Sequence, residues 1–253
     1  MKVTFLGTGT SQGIPVIACP CEVCQSTNPK DKRLRTSVLI EVDGKNFVVD
    51  TGPDFRQQML RENVTKMDAV LMTHEHKDHI AGMDDVRAFN FIQRKDMEVY
   101  ASERVQTAIK REFYYAFEAV KYPGVPQIKL ETITNTPFEV EGVKVIPIEV
   151  MHYKLPVFGF RIKDFTYITD ANYIAEEEKE KIKGSKVLVV NALRKESHIS
   201  HFTLDQALEL IDELKPERAY LTHLSHQMGL HDEVEKALPE GVFVAYDTLK
   251  ISI

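Results

Sequence analysis

Apolar and polar residues alternate with a period of two along much of this chain, and the alternation breaks at turn residues. Lys2 to Leu6, Ser37 to Val42 and Asn46 to Asp50 read as strands. The Asp43-Gly44 turn between the last two predicts a hairpin at a sheet edge. A helical period takes over from Asp54 to Glu62, behind Pro53 and with Asp54 placed as the N-cap. Ala69 to Met72 is a short buried strand, and helical spacing returns over Asp84 to Ile92 and Glu103 to Phe117. The aromatics on those two helices, Phe89, Phe91, Phe113, Tyr114, Tyr115 and Phe117, are expected in the core or in a pocket wall.

Tyr122-Pro123-Gly124-Val125-Pro126 interrupts the pattern near the middle, and a second β-rich half follows. It comprises Gln127 to Ile133, Phe138 to Val140, Val143 to Val150, Phe158 to Ile162 and Thr166 to Ile168, with Glu141-Gly142 as a hairpin turn. Helix and strand then alternate. Ala175 to Lys183 is a charged helix, Val187 to Val190 a buried strand, Leu204 to Leu214 a helix opened by Thr203, Ala219 to Leu221 a strand, and Gly241 to Ile253 a final strand pair. Each half thus holds a sheet with helices. Two sheets face to face with helices outside is the layered α/β arrangement this order permits, and one domain over 1–253 accommodates it.

Composition narrows the function. Hydrophobic residues make up 43% and charged ones 28%, with a net charge of −6 and a pI near 5.9. No global positive field is available to gather nucleic acid or an anionic membrane. No apolar run approaches the ~20 residues of a spanning helix, and the start, Met1 to Gly7, reads as a strand running into glycines rather than as a signal peptide. A cytoplasmic protein is expected.

The densest chemistry is Thr73-His74-Glu75-His76-Lys77-Asp78-His79, which places three of the nine histidines and a carboxylate directly after an apolar strand. Imidazole and carboxylate suit zinc, manganese and iron, and there are more donors than one ion with an open position needs. His152, Asp170 and His223 each stand just beyond a strand as well. Ligands at several strand ends converge on one edge, where loops are free to be polar and a pocket forms. All three cysteines lie in Cys19-Pro20-Cys21-Glu22-Val23-Cys24, too close together for a disulfide framework but suited to thiolate coordination. A tetrahedral zinc site needs a fourth ligand, and His226 and His231 are the candidates. The Gly7-Thr8-Gly9-Thr10-Ser11-Gln12-Gly13 loop could offer N–H groups to a phosphate, and Arg35, Arg56 and Lys154 are available cations.

The H-x-H-x-D-H run, the earlier Asp50-Thr51-Gly52, and a His, an Asp and a His each after a strand together resemble the metallo-β-lactamase superfamily of binuclear hydrolases. The Cys-x-Cys-x2-Cys run and Thr222-His223-Leu224-Ser225-His226 are similar to its carbon–phosphorus lyase-pathway phosphodiesterase subfamily, which opens phosphoribosyl 1,2-cyclic phosphate. The resemblance implies the αββα sandwich. It also implies that His74, His76 and His152 hold one divalent ion and Asp78, His79 and His223 a second, both manganese or zinc, with Asp170 bridging them. A hydroxide shared by the ions would attack phosphorus. Asp50 matches the family's structural aspartate, which orients a ligand histidine or its loop. Cys19, Cys21, Cys24 and His226 would hold a structural zinc. His201 occupies the place of the histidine that acts on the leaving group, where an imidazolium protonates the departing oxygen; His198 is a rival. A small, ribosyl cyclic phosphodiester is the expected partner, with membrane and nucleic acid disfavoured and a homodimer left open. A transfer-RNA 3′-end endonuclease and a lactonase or thioesterase of the same superfamily are the alternatives.

Overall fold

The computed structural model describes residues Met1–Ile253, and in it the period-two segments form two seven-stranded sheets. The first is built from β1 (Lys2–Gly7), β2 (Ser37–Val42), β3 (Lys45–Val49), β4 (Ala69–Leu71), β5 (Met97–Ala101) and β6 (Ile128–Thr132). The second takes β7 (Phe138–Val140), β8 (Val143–His152), β9 (Leu155–Ile162), β10 (Phe165–Tyr167), β11 (Val187–Asn191), β12 (Arg218–Thr222) and β13 (Val242–Val244). The last strand, β14 (Lys250–Ser252), returns to pair antiparallel with β1. The strand orders are β14-β1-β2-β3-β4-β5-β6 and β13-β12-β11-β10-β9-β8-β7.

The alternation explains the layers, because successive side chains of a strand point to opposite faces. On β2, Val38, Ile40 and Val42 enter the core between the sheets, while Leu39 faces the helices on the outside. On β4, Ala69 and Leu71 point inward and Val70 outward. On β11, Val187 and Val189 share the inter-sheet core, with Leu188 and Val190 under the other helical layer. Three apolar layers result, so the protein is an αββα sandwich. The helix Leu204–Leu214 packs Ala207, Leu210, Ile211 and Leu214 on the second sheet and starts at a capping box formed by Thr203 and Gln206.

Four sequence expectations change. The β2–β3 hairpin lies in the middle of its sheet, because β1 and β4 pair with its two outer sides. The two strands within Gly241 to Ile253 are divided between the sheets rather than paired. Asp54 precedes the helix Phe55–Arg61 without capping it, since its carboxylate pairs instead with Arg35 at 3.0 Å. Phe91 and Tyr114 are 68% and 62% exposed, so they are neither core nor wall of the site described below.

Candidate metal centre

The site forms where β3, β4, β8, β10 and β12 end. Asp50 follows β3, the His74–His79 run follows β4, His152 closes β8, Asp170 stands three residues beyond β10, and His223 follows β12. Parallel pairing of β3 with β4 and of β10, β11 and β12 brings these ends to one edge. The backbone turns sharply there. Asp50, Asp170 and His223 have φ of 63°, 58° and 55°, a left-handed conformation that costs an L-residue about 1–2 kcal/mol. Gly52 permits a second close approach, because a Cβ on it would lie 2.2 Å from the Asp78 carbonyl oxygen.

Two donor sets result. The ligand atoms of His74, His76 and His152 lie within 4.8 Å of one another, and so do those of Asp78, His79, Asp170 and His223. Asp170 faces both. Its Oδ2 is 3.8 Å from His74 Nε2, and its Oδ1 is 3.5 Å from His79 Nε2 and 3.3 Å from His223 Nε2. His79 Nε2 and both ring nitrogens of His223 are buried without a hydrogen-bond partner. His79 Nε2 is only 3.2 Å from Asp78 Oδ2, yet the pair lacks hydrogen-bond geometry. Buried polar atoms that converge without bonding each other fit a cation between them better than they fit a packed core.

Hydrogen bonds to the opposite ring nitrogens fix which nitrogen is left to ligate. His152 Nδ1 donates to the Ser200 carbonyl at 2.8 Å, and His79 Nδ1 donates to Asp50 Oδ2 at 2.7 Å. Asp50 also accepts from the Thr73 amide and hydroxyl, at 2.9 and 2.7 Å. With its own proton committed to Asp50, the Thr73 oxygen accepts from His74 Nδ1 at 3.0 Å. Both Nε2 lone pairs of His74 and His79 are thereby aimed into the site. Burial drives the His74 pKa well below its ordinary value, and the neighbouring His79 adds to the effect. Burial also acts on His79, but the carboxylates of Asp78, Asp170 and Asp50 outweigh it and raise its pKa well above the ordinary value. A cation in the same place competes for the electron pair that holds this proton. Burial likewise opposes ionisation of Asp170, and the charges of His223 and His79 overcome it and lower its pKa.

His201 stands over this centre. Its Nε2 is 3.3 Å from Asp170 Oδ2, and its Nδ1 is 3.0 Å from Ser200 Oγ and 3.1 Å from His198 Nδ1. Burial lowers its pKa against the pull of Asp170. His152, Asp170 and His201 also close to within 4.8 Å as a third set of donors. His198 touches His201 but belongs to none of the donor sets. The donors open into a cleft of about 480 Å³, walled in part by His76, His152 and the turn between β8 and β9.

A separate tetrad joins Cys19, Cys21, Cys24 and His226. His226 Nδ1 is 3.3 Å from Cys19 Sγ and 3.2 Å from Cys21 Sγ. His231 is directed elsewhere, its Nδ1 accepting from buried Arg33 at 3.2 Å. The Cys24 amide and then His226 lower the Cys21 thiol to about 6, whereas burial raises Cys24 to about 11.

A family model described as "Beta-lactamase superfamily domain" matches residues 45–224. The chain belongs to the metallo-β-lactamase superfamily. Within that superfamily it is PhnP-like, being 38% identical, with a TM-score of 0.93, to a protein solved as "a New Diphosphatase from the PhnP Family"; the match covers 100% of this chain and 97% of that one. A curated Porphyromonas gingivalis protein named "Octanoyltransferase" is 41% identical over 256 residues. That match covers all of this chain and 52% of the relative, so the chain spans about half the relative's length. Zn(2+)-bound PqqB from Methylobacterium extorquens shares the metallo-β-lactamase fold at 18% identity and a TM-score of 0.79, over 100% of both chains. The fold is one that implies divalent metal ions.

Other sequence expectations change at the site. In the Gly7–Gly13 loop the amides of Gly9, Thr10 and Gly13 bond to the carbonyls of Leu34, Leu224 and Thr10, so these three are committed within the fold rather than offered to a phosphate. Arg35 is engaged by Asp54, and Arg56 lines an apolar groove beside the helix Phe55–Arg61. Lys154 alone of the three cations borders the cleft. Sequence reasoning passed over Thr73, although it stands directly before His74 and is one of few side chains able to donate to Asp50 while accepting from a histidine.

Proposed function

We propose that this protein is a binuclear metal-dependent phosphodiesterase acting on a small substrate, with a ribosyl cyclic phosphate as the leading candidate. The observation that carries this reading is Asp170, whose two carboxylate oxygens each face a different cluster of histidines across a buried gap. His74, His76 and His152 would hold one zinc or manganese ion, Asp78, His79 and His223 the other, and Asp170 both. Such ions, when bound, lower the pKa of water and neutralise charge on phosphoryl oxygens.

The remaining work falls to the chain. His201 Nε2 would donate its proton to the oxygen that leaves phosphorus. Burial disfavours that proton in the free protein, and an anionic diester seated beside the ring restores it. Asp50 would hold His79, and through Thr73 also His74, in register. Cys19, Cys21, Cys24 and His226 would bind a structural zinc next to His223, which suits a cytoplasmic protein whose thiols stay reduced. With a net charge of −6 the protein has no field to grip RNA, which weighs against a transfer-RNA endonuclease. Acyl transfer through a thiol has no seat outside the tetrad, because all three cysteines belong to it.

The test is an assay of manganese- and zinc-loaded protein against a ribose cyclic phosphate, bis-p-nitrophenyl phosphate, a precursor transfer RNA, a lactone and an octanoyl thioester. Hydrolysis of the two phosphodiesters, abolished in Asp170→Asn, is the expected result. Turnover of the lactone or the thioester alone would overturn the reading.

A further inference from the structure

Tyr153 sits at the turn between β8 and β9, one residue after His152, with φ of 59°. That value is the one a two-residue hairpin loop requires, and Asp43, Glu141 and Lys163 hold it at the same position of the other tight hairpins. Tyr153 is 49% exposed. The turn is also tied to its surroundings. Asn172 Oδ1 accepts the Tyr153 amide at 2.7 Å, and Asn172 Nδ2 donates to the Ile199 carbonyl at 3.3 Å, so one side chain ties together two loops at the cleft mouth. Ile199, 66% exposed, lines the cleft with Tyr153. Next to them Lys154 Nζ lies 5.3 Å from the Tyr153 ring centroid. Unlike Lys179 and Lys181, which pair with glutamates, Lys154 has no carboxylate partner. Thus a flat, exposed apolar wall and an unpaired cation are held rigidly beside the reacting centre.

Resting on the phosphodiester reading above, we propose that the Tyr153–Lys154 turn is the recognition element for the non-reacting part of the substrate, and that this part is a nucleotide. Its base lies against Tyr153 and Ile199, and a further phosphate meets Lys154. An aromatic side chain stacks on any base without needing a particular hydrogen-bond pattern, and a lysine ammonium binds phosphate as a point charge. Asn172 is a positioning residue that keeps the turn open towards the cleft.

Two measurements test this. In the first, the metal-loaded protein is given the p-nitrophenyl ester of thymidine 5′-phosphate and methyl p-nitrophenyl phosphate, which share a leaving group and differ in having a nucleoside or a methyl group on the other side of phosphorus. The parent should favour the thymidine ester about tenfold in KM. Tyr153→Ala should erase that preference, and Tyr153→Phe, which keeps the ring, should retain it. In the second, AMP and ADP are titrated calorimetrically into the metal-loaded protein. Tyr153→Ala should weaken both about tenfold, and Lys154→Gln should remove the advantage of ADP over AMP. A preference that survives Tyr153→Ala, or nucleotide affinities unmoved by either substitution, would overturn the assignment. If the parent cleaves neither ester, the phosphodiesterase reading fails, and the titration alone then decides whether the turn binds a nucleotide.

Discussion

Replacing Asp50 with Asn probes how the fold holds its histidines. The carboxylate is fully buried and accepts three hydrogen bonds, one on Oδ1 from the Thr73 amide and two on Oδ2 from the Thr73 hydroxyl and His79 Nδ1. Asparagine keeps the first, since its own oxygen can face the amide. Its NH2 group then takes the place of Oδ2 and meets two donors. Each hydrogen bond to a charged acceptor is worth about 1.5–3 kcal/mol, so the loss of two is about 3–6 kcal/mol. The Thr73 hydroxyl can rotate to accept from the new amide, which leaves about 3 kcal/mol. In a chain of this size that lowers Tm by about 6–12 °C. His79 would also lose the partner that fixes its ring, and disruption of such a partner typically costs about 10–100-fold in metal affinity. Calorimetric scans of chelated and metal-loaded Asp50→Asn, with chelator competition for the bound ions, measure both effects. Parental Tm together with parental metal affinity would refute the reasoning, because the three bonds could not then be coupling Asp50 to the donor set.

Four further outcomes follow from the geometry. His201→Ala should retain both active-site ions and slow a diester with a poor leaving group about 10²-fold or more while slowing one with a good leaving group far less; loss of an ion on elemental assay would make His201 a ligand instead. Cys21→Ser should lose one bound zinc and leave the other metals in place, read by the same assay, and an unchanged metal count would remove the tetrad as a zinc site. Gly52→Ala must push against the Asp78 carbonyl oxygen, so a loss of about 1–3 kcal/mol is expected in denaturant unfolding, and parental stability would contradict the close approach. His231 is held neutral, its pKa lowered to about 4 by burial and then by Arg33. The fold therefore binds fewer protons there than the unfolded chain does, and stability present above the ordinary histidine pKa is lost as pH falls from ~6.5 towards 4, by about 1–2 kcal/mol after screening. His231→Gln should flatten that part of the pH–stability curve, and an equal slope in both proteins would assign the loss elsewhere.

Much of the layering was legible because it depends on local alternation. Val38, Ile40 and Val42 against Leu39 already place one face of β2 inward, and the Thr203 cap with Gln206 three residues on fixes a helix start without reference to the rest of the chain. Pairing between distant segments was not legible in the same way. Nothing near β14 states that it returns to β1, with Ser252 pairing with Lys2 at the other end of the chain, rather than pairing with β13. β5 went unread because Met97-Glu98-Val99-Tyr100-Ala101 offers only five residues, with Tyr100 partly exposed and hydrogen-bonded to Glu98.

The site divides along the same line, and the division has a physical cause. A histidine cluster is visible in sequence because its donors are neighbours, but the groups that orient those donors are chosen by tertiary approach. Thr73 acts on His74 only because β3 lies beside β4 and delivers Asp50 to it. Tyr153 directly follows His152 in the chain, but its tie to the cleft mouth is made by Asn172, nineteen residues further on. Asp50, Asp170 and His223 share a left-handed conformation at three separate strand ends. Outside a tight hairpin or a helix end, a residue other than glycine holds it only where the surroundings over-determine the backbone. For Asp50 the three donors do so. Beside Asp170 and His223 the neighbouring residues are tied down, Ala171 by the Asn191 side chain and Leu224 by Thr8 and Thr10, while His79 Nε2 and the ring nitrogens of His223 stay buried and unpartnered, so a cation shared by these side chains would add to the restraint. Removing metal should accordingly loosen the turns after β10 and β12, seen as faster amide exchange there, and leave the Thr73-bonded turn after β3 protected.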